Sequence, residues 1–115
     1  MIESIISMEL PAGGHLAVRR NRICPKQETK QCRRISLVSG IHGDELEGQY
    51  ICYETARRVK EHPEYLKGIV DIYPALNPLG IDMASRTVPR LDMDMNRMFP
   101  GDASGDMMER ITAAV

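Results

Sequence analysis

His42 and Glu45 stand three residues apart, with Gly43 between them, directly after an apolar segment that ends in glycine. A flexible glycine allows both side chains to turn towards one cation. Imidazole nitrogen and carboxylate oxygen are both ligands of Zn²⁺, and a catalytic zinc takes three protein ligands and leaves a position for water. The pair therefore predicts a metal site. The alternative is that both side chains cap the following helix and face solvent.

A second polar group, formed by Asp94, Asn96 and Arg97, has the composition of an anion-binding site. The arginine fork matches a carboxylate in two parallel hydrogen bonds, and Asn96 adds a neutral donor. Read as extended chain, Asp94 and Asn96 point to the same side. Asp94 could then accept the second ring N–H of a metal-bound histidine. The alternative is a polar strand edge. A calcium loop is excluded because Arg97 occupies the position where that loop needs glycine.

Arg86 lies between these two groups along the chain, after a turn rich in proline and glycine. Near a metal, its guanidinium could polarise a carbonyl oxygen and hold the negative charge that develops there. Arg90 is a second candidate for the same role. Taken alone, either arginine could be a solvated loop residue.

Three predicted elements position these residues. A β-branched run over 34–41 predicts a buried strand, the apolar spacing over 45–61 predicts a helix capped by Asp44, and the run 69–73 predicts a second strand. Strand, helix and strand within about forty residues form a βαβ unit with parallel strands. Ligands bind beyond the carboxyl ends of such strands, which is where His42 lies.

The flanking segments predict further structure. A hairpin turning at 11–14 and a polar surface loop precede the βαβ unit, the segment 77–89 predicts a loop, and Ser104 or Asp106 is expected to cap a last helix. We divide the chain into an N-terminal hairpin, a βαβ and substrate segment, and the start of a further helix, which cover 1–34, 35–101 and 102–115.

Composition excludes several classes of protein. The 115 residues suffice for one small domain, and 15 basic against 16 acidic side chains argue against a nucleic-acid-binding face. No apolar run approaches the length of a membrane span, and the first ten residues lack the features of a secretory signal. Three cysteines without paired spacing argue against a disulfide framework and favour a cytoplasmic location.

Taken together and in this order, the motifs resemble the succinylglutamate desuccinylase/aspartoacylase family, which is similar to the zinc carboxypeptidases. The resemblance rests on His42 with Glu45, the 77–80 turn, Arg86 and the segment 94–101, and it covers about 35–101. It implies an α/β fold, namely the N-terminal part of a zinc-carboxypeptidase-like mixed sheet flanked by helices and truncated at the chain end.

By this resemblance, His42 and Glu45 match two of three zinc ligands, and Asp94 matches the acid behind the ligand histidine. The third ligand, a histidine, and the catalytic glutamate belong to a later part of the family's domain, and the chain ends at Val115 before either. We expect further sequence or a second chain to supply them. An uncovered apolar face would also favour self-association.

The resemblance further implies a zinc-dependent deacylase that attacks the amide of an N-acyl amino acid or related carboxylate with metal-activated water. Arg86 matches the residue that stabilises the oxyanion, with Arg90 still open, and Asn96 with Arg97 matches the pair that grips the carboxylate of this small substrate. Two alternatives remain: a non-catalytic fragment or binding module that lacks the third ligand and the general base, and a zinc carboxypeptidase.

Overall fold

The computed structural model describes residues 1–27 and 31–115, so the loop predicted before the βαβ unit lies partly outside the described residues. Within them, the chain forms four strands and three α-helices, with short 3₁₀ turns at Pro11–Gly13, Pro63–Tyr65 and Met95–Arg97. The strands and helices, in chain order, are β1 (Ile2–Glu9), β2 (His15–Ile23), β3 (Arg34–Val38), α1 (Glu47–Glu61), β4 (Ile69–Tyr73), α2 (Pro78–Asp82) and α3 (Met107–Ala113).

The four strands form one mixed sheet in the order β1-β2-β4-β3. The β1–β2 and β2–β4 pairs are antiparallel, whereas β3 and β4 run parallel and are joined through α1. The predicted βαβ unit and the mixed α/β fold class are thus confirmed. The parallel pair ends with Val38 opposite Tyr73, so the two loops that follow these strands leave the sheet side by side.

Apolar side chains pack on both faces of the sheet, because successive residues of a strand point to opposite sides. Val70 and Ile72 of β4 pack with Cys52 under α1. Leu16 and Val18 of β2 belong to the other face. They pack against residues from the segments after β4 and from α3, namely Leu76, Val88, Met95, Met108 and Ile111. Apolar burial in this second cluster holds the segments after β4, and α3, against the sheet.

The strand predicted to be buried, at 34–41, is in fact the edge strand β3, and it ends earlier, at Val38. It pairs with β4 on one side only. As a result Ile35 is 59% exposed and Val38 is 37% exposed. A run of β-branched residues indicates a preference for extended backbone but not the number of neighbouring strands. The predicted burial of this strand was wrong for this reason.

Two further predictions about local structure were wrong. Asp44 does not cap α1, which begins at Glu47 after Leu46 with no side-chain cap. The segment predicted as loop contains the short helix α2, in which the Asn77 side chain accepts a hydrogen bond from the Gly80 amide. Asparagine followed by proline is a recognised helix start, so the signal for α2 was present in the sequence.

The last helix lies where it was predicted, and of the two candidate caps, Ser104 and Asp106, it is Asp106 that caps it. The Asp106 side chain accepts hydrogen bonds from the amides of Met108 and Glu109, and the Glu109 carboxylate accepts one from the Asp106 amide. This reciprocal capping box satisfies amides that a helix start leaves without partners. Among the residues described, none of the helices has the length and apolarity needed to span a bilayer.

A buried carboxylate ties β4 to the neighbouring strands. The Asp71 side chain is 1% exposed, and both of its oxygens accept hydrogen bonds from Arg22, each at 2.7 Å. Arg20 and Arg34 lie 3.8 and 3.7 Å from the same carboxylate. The hydrogen bond from Arg22, helped by the charges of the three arginines, holds the pKa of Asp71 below its ordinary value despite burial.

We predict that Asp71→Asn lowers the melting temperature by roughly 10 °C, because three arginines lose their buried counter-charge. The pKa of Asp71 is lower in the folded chain, so its contribution to stability is complete above the ordinary aspartate value of about 3.9 and is lost as the pH falls through the folded value. Melting curves between pH 2 and pH 7 measure both effects. Glu54→Gln, which breaks an exposed pair with Arg57, is the control and should change little. An Asp71→Asn variant with unchanged acid sensitivity would contradict the assignment.

Candidate active site

The loop that follows β3 is held against the segment that follows β4 by backbone hydrogen bonds. The Ser39 amide donates to the Tyr73 carbonyl at 2.9 Å, the Leu76 amide donates to the Ser39 carbonyl at 3.0 Å, and the Asn77 amide donates to the Gly40 carbonyl at 2.8 Å. Gly40 has φ +66, a left-handed conformation that glycine adopts without strain. The chain therefore turns sharply at the carboxyl edge of the sheet, and His42 follows this turn.

Asn77 and Gly43 extend the contact between the loop after β3 and the segment after β4 as far as His42. Asn77 is buried, accepts the Gly80 amide at 2.9 Å and donates to the Ile41 carbonyl at 3.3 Å. The Gly43 amide donates to the Ser85 carbonyl at 2.9 Å, and its α-carbon lies so close to Gly80 that an added Cβ would overlap the backbone there. Two backbones thus cross in direct contact, which requires glycine at the crossing.

His42 lies between two carboxylates. Its Nδ1 is 3.0 Å from Oε1 of Glu45, and its Nε2 is 3.0 Å from Oδ1 of Asp94. Carboxylates only accept hydrogen bonds, so each of the two contacts requires a proton on the ring nitrogen that faces the carboxylate. The hydrogen bond to Asp94 is the main cause that raises the pKa of His42, and Glu45 adds to it; the same bond lowers the pKa of Asp94.

The donor atoms of His42 and Glu45 fit one zinc ion. Zinc–ligand distances near 2.1 Å in tetrahedral geometry place two ligand atoms roughly 3.4 Å apart. The observed Nδ1 to Oε1 distance is 3.0 Å, so a shift of a few tenths of an ångström is sufficient. The Asp94 carboxylate lies within hydrogen-bonding distance of the other ring nitrogen, Nε2. A metal-bound histidine commonly has a carboxylate at this position. Across 1–27 and 31–115, however, no three histidine, cysteine or acidic side chains come together as a metal-binding group.

Arg86 lies in this cluster, but Arg90 does not. Arg86 Nη1 is 3.9 Å from Oε1 of Glu45, and its Nη2 is 3.5 Å from Oδ2 of Asp94. Arg90 instead lines a separate apolar cavity beside α2, together with Leu79 and Met107. Of the two arginines that sequence reasoning left open, the structure brings Arg86 to His42 and Glu45.

The segment that carries Asp94, Asn96 and Arg97 is not extended, as the sequence had suggested, but forms a 3₁₀ turn over Met95–Arg97. The Asp94 side chain accepts the Asn96 amide at 3.0 Å and starts this turn, while the apolar side chain of Met95 is buried in the core. Met95 holds the turn against the core, while Asn96 and Arg97, which follow it, are exposed. The alternative of a polar strand edge is therefore wrong.

The turn directs the two residues of the predicted anion-binding pair, Asn96 and Arg97, to different surroundings. Asn96 lines a cavity of about 380 Å³ together with His42 and Glu45. The Arg97 side chain is 86% exposed, and its Nε lies 3.8 Å from Oδ2 of Asp94. All six residues singled out in the sequence thus lie in one region, and Asp94 contacts the backbone or side chain of four of them.

Sequence reasoning noted the 77–80 turn without assigning a role to its members. The Asn77 side chain holds the backbone that precedes His42, and the absence of a Cβ at Gly80 leaves room for that side chain. An asparagine before proline signals a helix start but not a contact with a loop 36 residues earlier. The long-range role of Asn77 could be recognised only from coordinates.

Comparison with known proteins decides the family. Residues 31–114 match the model of the succinylglutamate desuccinylase/aspartoacylase catalytic domain, which covers most of the chain and all six site residues. The chain belongs to this family. The family predicted from the ordered motifs is therefore confirmed, and with it the relation to deacylases and amidohydrolases.

Individual relatives agree with this assignment. An N-alpha-acetyl-L-2,4-diaminobutyric acid deacetylase from Halomonas elongata is 36% identical over 75 residues, which are 65% of this chain and 21% of the relative. A succinylglutamate desuccinylase/aspartoacylase from Rhodobacter sphaeroides has a TM-score of 0.72 at 31% identity, covering 88% of this chain and 29% of that one. The product-bound ectoine utilization protein EutE (DoeB) from Ruegeria pomeroyi has a TM-score of 0.75 at 27% identity, with 94% and 32% covered. The chain thus spans less than a third of each of these relatives.

We predict that Gly43→Ala separates the two loops, because the new methyl group would overlap the Gly80 backbone. The Gly43 amide should lose its protection against hydrogen exchange, since its bond to Ser85 breaks, and His42 should move away from Asp94. Exchange measured by NMR, together with the ¹⁵N shifts of the His42 ring, reports both changes. Gly13→Ala is the control, since a Cβ there meets open space and only the backbone conformation is strained. Unchanged exchange at residue 43 would contradict the close crossing.

Proposed function

We propose that this chain carries the zinc-binding and carboxylate-binding part of a deacylase that hydrolyses the amide of an N-acyl amino acid or a related carboxylate. The observation that carries the proposal is the position of His42 between Glu45 and Asp94, with two arginines within 4 Å of the same carboxylates. An imidazole held in this way, beside cationic side chains that suit substrate oxygens, is the arrangement of a metal-assisted hydrolase.

The metal would be held by His42 through Nδ1 and by Glu45 through its carboxylate. Bound zinc lowers the pKa of a coordinated water to about 7 and polarises carbonyl oxygens. Asp94 is expected to keep the proton on Nε2 of His42, so that Nδ1 offers its lone pair. In this proposal Asp94 positions the ligand and does not touch the substrate.

The arginines and Asn96 would act on the substrate itself. Arg86 has its charge 3.9 Å from Glu45, where it would stabilise negative charge on the carbonyl oxygen under attack. Asn96 lines the cavity beside His42, and Arg97 follows it with a freely exposed guanidinium, so the two would grip the substrate's carboxylate. The Halomonas relative is named as the deacetylase of an N-acetylated amino acid, and we propose the same general class of substrate here.

The alternative is a metal-binding or carboxylate-binding module without turnover. Within the described residues, no three candidate ligands meet. Two protein ligands hold zinc more weakly than three or four. The names of the relatives favour deacylation over the carboxypeptidase alternative.

We predict that His42→Ala lowers the zinc affinity of the chain at least roughly tenfold, because even loss of a group behind a metal ligand costs that much. Competition with a chromogenic chelator measures the affinity. His62→Ala is the matched control, because His62 also has its Nδ1 near a carboxylate, at 3.4 Å from Glu64, but lies on an exposed helix end. Equal zinc affinity of both variants would reject His42 as a ligand.

We predict that Arg97→Ala weakens binding of an N-acetyl amino acid roughly fivefold, the size expected for one exposed ion pair. The corresponding carboxamide should bind the parent chain and the variant equally, because it lacks the negative charge. NMR titration measures both affinities without requiring turnover. Arg90→Ala, an exposed arginine beside another cavity, should leave both unchanged. A carboxylate that binds Arg97→Ala as tightly as the parent chain would remove Arg97 from the site.

A further inference from the structure

Arg86 shares a carboxylate oxygen with the pair of residues that would hold the metal. Its Nη1 lies 3.9 Å from Oε1 of Glu45, and Nδ1 of His42 lies 3.0 Å from the same oxygen. A divalent metal bound to this oxygen and the guanidinium of Arg86 would repel each other, because both are cations beside one carboxylate. Arg86 and the metal would therefore compete for Glu45.

Asp94 links this competition to Arg97. Oδ2 of Asp94 lies 3.5 Å from Nη2 of Arg86 and 3.8 Å from Nε of Arg97, so two guanidinium groups share one oxygen. The other oxygen, Oδ1, lies 3.0 Å from Nε2 of His42. Arg86 can thus lose Glu45 and keep an anionic partner by displacing Arg97 from Asp94.

The backbone before Arg86 is fixed, whereas the Arg86 side chain can turn. The Ser85 amide donates to the Gly80 carbonyl at 2.8 Å, and the Ser85 carbonyl accepts the Gly43 amide at 2.9 Å. The Arg86 side chain is 58% exposed, and its contacts of 3.5 and 3.9 Å are longer than the about 2.8 Å of a close guanidinium–carboxylate hydrogen bond. A change of partner therefore needs only rotation of the side chain.

We propose that Arg86 changes partner when Glu45 binds the metal. It gives up Glu45 and pairs closely with Asp94, which then releases Arg97 to the carboxylate of a substrate. Metal binding and carboxylate binding are thereby coupled, and by thermodynamic linkage each strengthens the other by the same factor. This inference rests on the proposed function, and it adds that the site binds its anionic substrate tightly only after it has bound the metal.

A purely structural role of Arg86 makes the opposite prediction. If Arg86 only orients the Glu45 carboxylate, loss of its charge leaves that carboxylate less well placed, and zinc binds more weakly. If Arg86 competes with the metal, the same change makes zinc bind more tightly. The sign of the change in zinc affinity therefore separates the two roles.

The first test measures zinc affinity by competition with a chromogenic chelator at low salt. We expect Arg86→Gln to bind zinc roughly fivefold tighter than the parent chain, because a repelling charge at an exposed site is removed. Arg86→Lys keeps the charge and should bind zinc like the parent chain. Arg90→Gln is the matched control, since Arg90 lines another cavity, and it should change nothing. Weaker zinc binding by Arg86→Gln overturns the proposal.

The second test measures the affinity of N-acetylglycine by NMR titration with and without zinc. We expect zinc to strengthen its binding roughly fivefold in the parent chain and to have little effect in Arg86→Gln, where no guanidinium remains to displace Arg97 from Asp94. N-acetylglycinamide lacks the carboxylate and should gain little from zinc in either chain. A gain for N-acetylglycine that survives in Arg86→Gln means that the metal attracts the carboxylate directly, and it overturns the exchange of partners.

These outcomes are distinct from a failure of the proposed function. If His42→Ala lowers the zinc affinity while Arg86→Gln matches the parent chain, the metal site stands and only the exchange of partners fails. If His42→Ala and the parent chain bind zinc equally, the proposed function fails and this inference fails with it.

Discussion

The hydrogen bond between His42 and Asp94 joins two loops that are 52 residues apart, and the site depends on it. It fixes the ring of His42, directs the other ring nitrogen towards Glu45, and brings the turn that carries Asn96 and Arg97 to the same place. Two contacts fix its geometry. The Asn77 side chain donates a hydrogen bond to the backbone just before His42, and the buried Met95 holds the turn that follows Asp94. Apolar packing and backbone hydrogen bonds thus position a small polar cluster at the carboxyl edge of the sheet.

Asp71 and Asp94 each have more than one arginine within 4 Å, but the surroundings of the two carboxylates differ. The Asp71 side chain is 1% exposed, and each of its two oxygens accepts a hydrogen bond from the Arg22 guanidinium. Its partners therefore all belong to the sheet. Asp94 is 17% exposed, and its arginines lie at 3.5 and 3.8 Å with their side chains largely in solvent. A tightly closed pair stabilises a fold, whereas loosely held guanidinium groups remain able to bind the oxygens of a ligand. The same residue types therefore serve structure in one place and, in the function we propose, recognition in the other.

Much of the fold was predictable because its signals are local. The βαβ unit follows from a change in hydrophobic period, the hairpin from a turn between two strands, and the capping box of α3 from Asp106 and its spacing to Glu109. The exposure of β3, the uncapped start of α1 and the 3₁₀ turn after Asp94 were not predicted. Each of these features depends on which distant segment of the chain packs against the element concerned, and a local residue pattern does not specify that segment.

Residue types and order by themselves determined the family, the mixed α/β class and the six polar residues of the candidate site, because the chemistry proposed for metal and anion binding restricts which side chains can serve. Tertiary structure decided which arginine approaches Glu45, and how Asn96 and Arg97 divide between cavity and solvent. These are distances between side chains that meet only when the sheet aligns the loops after β3 and β4. Such distances arise from packing of the whole chain, and no local pattern contains them.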